Sequence, residues 1–183
     1  RVAKAAGLSQ GIVIFHFKTK DQLLVEALRH LVEEYQQTWR QAMTRAGGET
    51  APALDRICAL VAADFAPALC SRKKVAVWHA FWGESKARPV YQQICGERDD
   101  DRFRRMQQAC ESLRPGEGWQ VAAMIDSLSD GFWQRMHLDP ASYSRPLVLG
   151  LMGCQLVSLF PEEAARIERI FGRWMASAAS HEV

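Results

Sequence analysis

The side chains best suited to recognising another molecule lie close together near the start of the chain. Gln10 can hydrogen-bond to base edges and Ile12 can touch a thymine methyl group, so this pair is suited to reading DNA. Lys18 and Lys20 follow shortly after, and ammonium groups bind phosphates. The predicted chemistry is therefore nucleic-acid recognition. The candidate DNA contacts are Ser9, Gln10, Gly11, Ile12, Phe15, His16, Lys18, Thr19 and Lys20.

Charge is distributed unevenly around this stretch. The chain of 183 residues carries a formal net charge of only +2. Its first twenty residues nevertheless contain Arg1, Lys4, Lys18 and Lys20, and the first acidic residue is Asp21. A basic end on a nearly neutral chain indicates that this end, rather than the whole protein, contacts a polyanion.

Two short helices and a tight turn are predicted to position these side chains. Gly7 suits a left-handed turn after the first helix, and Ser9 suits the N-cap of a second helix that ends near Phe17. A long amphipathic helix follows from Lys20 to about Arg45, and its N-terminus favours an anion. Helix, turn and helix in this order is the geometry of a helix-turn-helix, whose second helix enters the major groove. A serine-capped helical hairpin without DNA binding would give the same local pattern.

The stretch resembles the DNA-binding signature of TetR-family transcriptional regulators, roughly A-G-V-S-x-G-x-L-Y-x-H-F-x-x-K-x-x-L. Leu8 and Val13 are conservative variants, and Ile14 replaces a tyrosine that often contacts phosphate in the family. The matching residues are Ala6, Gly7, Ser9, Gly11, His16, Phe17, Lys20 and Leu23.

This resemblance implies the domain organisation and the partners of the protein. Residues 1–24 are expected to be the remainder of a helix-turn-helix domain whose N-terminal part is missing from this sequence. Residues 25–183 are expected to form a larger helical effector-binding and dimerisation domain. The implied partners are a palindromic operator in double-stranded DNA, a small-molecule effector and a second copy of the chain. The expected action is repression, which is usual in the family.

The whole chain is predicted to be all-α, since apolar residues recur every three or four positions between clear breaks. One predicted helix runs from about Pro52 to about Leu69, with Leu54, Ile57 and Val61 on its inner side. The most apolar run, 147–160, is several residues short of the roughly 20 that a membrane helix needs. We therefore expect a cytoplasmic protein without membrane contact, cofactor or metal.

Aromatic residues predict an effector pocket. Trp78, Phe81 and Trp82 are spaced to share one helical face, and Trp119, Phe132 and Trp133 offer a second cluster on a later helix. Aromatic faces bind quaternary or protonated amines through cation–π attraction. Asp99 or Asp126 is a candidate counter-ion for such a ligand. Tryptophans at helical spacing in an ordinary core would give the same pattern.

The segment from about Trp78 to Pro140 is similar to the C-terminal domain of BetI-type regulators, the choline-responsive branch of the TetR family. This second resemblance is looser than the first. It implies that the effector is a cationic amine such as choline.

A dimer interface is predicted on the apolar helix that ends near Leu159. Small residues such as Gly150 and Gly153 let another helix approach closely. Packing with the preceding helix against the same pair in a second subunit would form a four-helix interface. An ordinary contact within the chain is the alternative. The candidate interface residues are Leu128, Phe132, Leu149, Gly150, Gly153 and Leu156.

Other functional classes find less support. The five histidines are scattered, and no glycine-rich phosphate loop or recognisable nucleophile is present, so an enzyme is not expected. The five cysteines form no CxxC pair. Two alternatives stay open: a redox-responsive regulator that senses through Cys70, Cys95 or Cys110, and a helical protein-interaction adaptor without DNA binding.

Overall fold

The computed structural model describes residues 2–179, with only the backbone described at 97–100 and 175–179. The regular secondary structure of these residues is helical, which confirms the predicted fold class. Two short 3₁₀ turns, Gly48–Thr50 and Pro161–Glu163, lie between α-helices. The α-helices are α1 (Val2–Ala5), α2 (Gln10–Phe17), α3 (Lys20–Arg45), α4 (Ala53–Asp64), α5 (Arg72–Glu84), α6 (Pro89–Leu113), α7 (Gly118–Leu138), α8 (Arg145–Leu159) and α9 (Ala164–Ala179).

Local hydrogen bonds explain where several helices begin. The side-chain oxygens of Ser9, Thr19, Ser71 and Ser144 each accept a hydrogen bond from the backbone N–H three residues later, at 3.1–3.4 Å. These bonds satisfy N–H groups that have no partner within the first helical turn. The starts of these helices are therefore encoded by neighbouring residues.

Helix α4 ends at Asp64, five residues before its predicted end. The backbone carbonyl of Asp64 accepts a hydrogen bond from the indole nitrogen of Trp133 at 3.0 Å, and that of Phe65 accepts one from Nε of Arg145 at 2.5 Å. Pro67 has no N–H with which to continue the helix. Side chains from distant segments thus hold carbonyl groups that another helical turn would have used.

The long helix α3 joins the N-terminal segment to the main helical body. Its buried side chains include Leu28, Tyr35 and Trp39, and it packs against α4 and α6. At 1.5 Å per residue, its 26 residues span about 39 Å. Helix α7 packs against α5, α6 and α8, while α9 lies along α8. No helix within residues 2–179 is both long enough and apolar enough to cross a membrane.

Candidate DNA-binding surface and effector site

The turn before α2 has the conformation that the sequence predicts. Gly7 adopts a left-handed backbone conformation with φ +68°, which residues other than glycine rarely adopt. The N–H of Leu8 donates to the carbonyl of Ala3 at 2.9 Å. Ser9 then caps α2 by accepting a hydrogen bond from the N–H of Ile12 at 3.3 Å. These contacts hold the tight turn between α1 and α2.

The side chains of α2 differ in exposure, and those predicted to contact DNA are exposed. Phe15 is 80% exposed and Ile12 is 44% exposed, whereas Val13 and Phe17 are half-buried. The remaining predicted contacts are also exposed: Ser9, Gln10, Gly11, His16, Lys18, Thr19 and Lys20. The surface offered to a partner therefore combines polar, apolar and cationic groups.

Ile14 lies beside an apolar hollow of about 710 Å³, which Val13 and Phe17 also line. Gln10 and Lys20 border the same hollow, at the edge of the outward surface. An isoleucine side chain has no hydrogen-bond donor for a phosphate oxygen. The phosphate contact of the family's tyrosine therefore has no counterpart at Ile14.

The connection between α2 and α3 has an unusual backbone. Lys18 adopts φ +52°, a region that glycine occupies more readily than lysine, and its N–H donates to the carbonyl of Ile14 at 2.9 Å. Thr19 caps α3 by accepting from the N–H of Gln22 at 3.1 Å. The exposed ammonium groups of Lys18 and Lys20 thus flank a helix N-terminus, where free N–H groups and the helix dipole favour an anion.

The acidic residue in the first turn of α3 is paired with a distant arginine. NH1 of Arg88, the residue that precedes α6, donates to Oδ1 of Asp21 at 2.9 Å. Arg88 also lies 3.0 Å from the carboxylate of Glu84. This pairing offsets the negative charge nearest to Lys20 and links the start of α3 to the junction of α5 and α6.

An aromatic cluster fills the space between α3, α5 and α7. The indole rings of Trp78, Trp82 and Trp133 lie 5.9–6.3 Å from one another, and Tyr35 lies 6.3 Å from Trp78 and 6.4 Å from Trp133. Trp78 is completely buried and Trp133 is 4% exposed, while Trp82 is half-buried. Trp82 is thus the most accessible tryptophan of the cluster.

Three predicted members lie outside this cluster. Phe81 packs against Tyr91 with ring centroids 5.1 Å apart, rather than sharing a face with Trp78. Trp119 is 59% exposed and contacts Phe103, because fourteen residues of α7, about 21 Å, separate it from Trp133. Phe132 points toward Tyr143 instead. The predicted grouping of these residues was therefore wrong.

A buried ion network adjoins the aromatic cluster. Arg102 donates from one terminal nitrogen to Asp64 at 2.5 Å and from the other to Asp126 at 2.6 Å. The hydroxyl of Tyr35 donates to Asp64 at 2.8 Å, and the backbone carbonyl of Asp64 accepts from Trp133. The side chains of Arg102 and Asp64 are each only 5% exposed. The network ties α3, α4, α6 and α7 together.

Negative charge exceeds positive charge in this network, since Arg102 faces both Asp64 and Asp126. Burial raises the pKa of Asp64 to about 6, although Arg102 lowers it, and Asp126 and Asp130 raise it further. The side chain of Asp126 is 28% exposed, so the acidic side of the network reaches the surface. Asp126, a predicted counter-ion, is thus paired with an arginine of the chain. The side chain of Asp99 lies outside the described residues.

Sequence reasoning missed Asp64, Arg102 and Tyr35 as parts of this site. A signal existed, because Arg102 falls on an otherwise apolar stripe with Met106 and Cys110, and all three are buried. A charged residue on a buried stripe requires a partner. The sequence could not identify the partner, which lies 38 residues away on α4.

Part of the predicted dimer surface is covered by the chain itself. Leu149 and Leu156 are completely buried, and a Cβ added to Gly153 would lie 3.2 Å from the side chain of Phe171. The small residue therefore lets α9 approach α8 within one subunit. Assigning Leu149, Gly153 and Leu156 to the dimer interface was wrong, while Gly150 and Leu128 are half-buried.

The outward sides of α7 and α8 form a different apolar surface, which we call the α7–α8 face. On α8, Leu147 is 44% exposed and Leu151 is 39% exposed, and Cys154 continues the same helical stripe. On α7, Met124 is 47% exposed. The face consists of Trp119, Met124, Leu128, Leu147, Leu151 and Cys154.

The thiols of Cys70, Cys95 and Cys110 do not fit a redox sensor. Burial raises the pKa of Cys110 to about 12 and raises that of Cys70 above its ordinary value. Cys95 is 9% exposed. A reactive sensor needs an accessible thiol with a lowered pKa. The shifts at Cys70 and Cys110 have the opposite sign.

Comparisons with known proteins agree with the fold and with the DNA-binding signature. The family profile of BetI-type transcriptional repressor C-terminal domains matches residues 53–161. The HTH-type transcriptional regulator BetI of Paraburkholderia phymatum is 30% identical over 176 residues, covering 90% of this chain and 83% of the relative. BetI 1 of Chromohalobacter salexigens is 33% identical over 144 residues, covering 76% of this chain and 68% of the relative.

Solved structures show the same fold. A proposed transcriptional regulator from Pseudomonas aeruginosa PAO1 superposes with a TM-score of 0.71 at 22% identity, over 91% of this chain and 81% of that one. A proposed TetR-family regulator from Rhodococcus sp. gives 0.61 at 17% identity, over 82% of this chain and 83% of that one. Because the BetI-type profile matches more than half of its residues, this chain belongs to the BetI-type branch of the TetR family of DNA-binding transcriptional regulators, and it is not an enzyme.

Proposed function

We propose that the protein is a cytoplasmic repressor that leaves a palindromic operator when a small cationic molecule binds its helical domain. The observation that carries this proposal is the course of α3. The helix begins at Lys20, one of the candidate phosphate contacts. Further along the same helix, Tyr35 donates a hydrogen bond to Asp64, which pairs with Arg102. Fifteen residues, about 22 Å of one helix, connect the two sites. A displacement of the network can therefore move α2.

The ligand acts by shifting a population between two arrangements of the dimer. In the ligand-free arrangement, the two copies of α2 match successive major grooves of the operator. The ligand favours a second arrangement only to the extent that it binds that arrangement more tightly. The segment 1–24 completes the DNA-reading domain in this proposal, and 25–183 forms the effector-binding and dimerisation domain.

In this proposal, side chains exposed on α2 contact the bases, and those at the start of α3 contact the phosphates. Gln10 and Ile12 read base edges, and Gly11 allows a close approach. Phe15 and His16 lie beside them on the outward surface. Lys18, Thr19 and Lys20 hold the phosphate backbone.

We expect Lys20→Gln to weaken binding to specific and unrelated DNA alike, and to reduce the salt slope of the affinity by about 1. Gln10→Ala should instead relax preference at one base position, with a loss of discrimination of about 1–3 kcal/mol. Fluorescence anisotropy of the full-length protein, with an operator selected from random DNA, measures both effects.

The matched control for Lys20→Gln is Lys73→Gln, which removes one exposed charge from α5 and should leave DNA affinity unchanged. An affinity that responds neither to salt nor to Lys20→Gln would contradict the proposed phosphate contacts.

A cationic effector is favoured by the combination of aromatic faces and excess negative charge. The rings of Trp78 and Trp133 pack against the half-buried ring of Trp82. The acidic side of the network reaches the surface at Asp126. An ammonium group over an indole face gains about 0.5–2 kcal/mol. We therefore place the ammonium group of the effector at Trp82, with Asp126 as its counter-ion.

Calorimetry with choline tests this placement. We expect saturable binding that is about tenfold weaker for the uncharged isostere 3,3-dimethylbutanol, because cation–π attraction to a desolvated ring is worth up to about 2 kcal/mol. Trp82→Ala should reduce choline affinity by a similar factor. Val77→Ala, which trims an exposed apolar side chain on the same helix outside the cluster, should not. Equal affinity for the neutral isostere would exclude a cation site.

The homodimer uses the α7–α8 face in this proposal. The face combines exposed leucines with methionine and tryptophan, and exposed apolar surface of this kind marks interaction sites. A two-fold axis beside α8 would pair α7 and α8 with their symmetry mates as a four-helix interface. The same axis would place the two copies of α2 on the two half-sites of a palindromic operator.

A further inference from the structure

A second concave surface lies between α3, α4 and α9, away from the aromatic cluster. The groove has a volume of about 630 Å³. This is within the range of about 300–1,000 Å³ that is common for small-molecule sites. None of the ion-network residues Tyr35, Asp64, Arg102 and Asp126 lines it. Its chemistry is therefore independent of the site proposed for the cationic effector.

The floor of the groove is a row of small apolar side chains on α4 and on the segment that follows it. Ala59, Ala62, Ala63 and Ala66 recur at helical spacing and all line the groove. Methyl groups leave a trough where larger side chains would fill the space between α3 and α9. The ring of Trp174 forms part of one wall. The trough thus offers a continuous apolar surface suited to an alkyl chain.

The rim of the groove is basic. Arg45 from α3, Arg145 from α8 and Arg173 from α9 all line it. The acidic residue among the lining side chains, Asp55, is paired with Arg166 at 2.7 Å. Arg45 and Arg173 are exposed and have no ion-pair partner among the residues that the structure describes. The positive charge at the rim is therefore available to an anion.

We propose that this groove binds an amphipathic anion, an alkyl carboxylate whose chain lies on this row of alanines and whose carboxylate pairs with Arg173. The pairing of Arg166 with Asp55 sets the start of α9 beside the start of α4. Arg173, two helical turns further along α9, then lies toward the end of the groove that Pro67 and Arg145 close. Guanidinium groups bind carboxylates through paired, charge-assisted hydrogen bonds. Because α3 forms the opposite wall, an occupant also contacts the helix that directly follows the proposed recognition helix α2.

The proposal is tested by calorimetric titration of the full chain with decanoate, below its micellar concentration. We expect saturable binding of one decanoate per chain, and an affinity for the neutral analogue decanamide that is at least about tenfold weaker, since the anion is recognised by its charge. Absence of saturable decanoate binding would overturn the proposal, and so would equally tight binding of the neutral decanamide.

Two variants locate the site. Ala62→Leu fills the trough and Arg173→Gln removes a rim charge, and each should weaken decanoate binding about tenfold or more. Lys73→Gln removes an equal charge from a surface outside the groove and should have no effect. Since Arg173 is exposed, Arg173→Gln remains informative even where thermal unfolding shows that Ala62→Leu disturbs folding. Wild-type decanoate affinity in Arg173→Gln would overturn the assignment. Trp82→Ala should retain decanoate binding, which separates this proposal from that of the cationic effector.

Discussion

Replacement of Arg102 by methionine is expected to lower the free energy of unfolding by about 3–5 kcal/mol, because it leaves a buried carboxylate without its cation. Arg102 and Asp64 are both about 95% buried, and Asp64 would keep only Tyr35 as a side-chain donor. Urea denaturation at neutral pH measures the loss. A change below about 1 kcal/mol, the size expected for an exposed pair, would contradict the role of this network in stability.

A second substitution separates buried charge from lost packing. Asp64→Asn in the Arg102→Met background removes the unpaired charge and should recover most of the lost stability. An asparagine oxygen can still accept the hydrogen bond of Tyr35. If the double variant were as unstable as Arg102→Met, the defect would come from packing rather than from the charge of Asp64.

The same pair predicts the pH dependence. The pKa of Asp64 is about 6 in the folded protein, above its ordinary value of 3.8. The stability contributed by the protonated carboxyl group is therefore fully present below about pH 4 and is lost as the pH rises through about 6. Without the lowering effect of Arg102, the pKa of Asp64 rises further. The deficit of Arg102→Met relative to wild type should consequently shrink as the pH falls from 7 to 5.

Substitution of Leu151 by glutamate is expected to split the proposed homodimer and to lower operator affinity by about a hundredfold or more. Two half-sites held by one dimer gain about 10²–10⁴ in affinity over independent binding. Leu151 lies on the α7–α8 face, and a two-fold axis there would bury two like charges close together. Sedimentation velocity and operator titration measure the two effects.

Val77 provides the matched control for this substitution. It is 40% exposed on α5, nearly the same as Leu151, but lies outside the α7–α8 face, so Val77→Glu should leave the dimer intact. Maleimide labelling offers a second readout, since Cys154 is exposed on the face and should react faster in the Leu151→Glu monomer. Unchanged sedimentation of Leu151→Glu would place the dimer interface elsewhere.

The turn and the helix caps around α2 could be predicted from the sequence almost residue by residue. Gly7 supplies the left-handed turn, and Ser9 and Thr19 cap the helices that follow them. Each of these effects acts over at most four residues, so the local sequence contains all the partners. The family resemblance rests on the same short-range pattern, which is why it was specific here.

The candidate effector site could be predicted only in outline. The spacing of Trp78 and Trp82 correctly placed them on one face, but Phe81 at the edge of that face turned to Tyr91 on α6. A helical wheel assigns a direction and does not identify the helix that lies there. Which aromatic rings meet is decided by how α3, α5, α6 and α7 pack.

The sequence by itself determined the helical class, the cap and turn of α2, and the outward set of side chains on that helix, because these depend on hydrogen bonds and periodicity within a few residues. Only the tertiary structure decided that Arg102 pairs with Asp64, that α4 stops at Asp64, and that Gly153 faces Phe171 of the same chain. These contacts join residues that are far apart in the chain. Their partners are selected by the burial of charge and by the close packing of helices, and local sequence encodes neither.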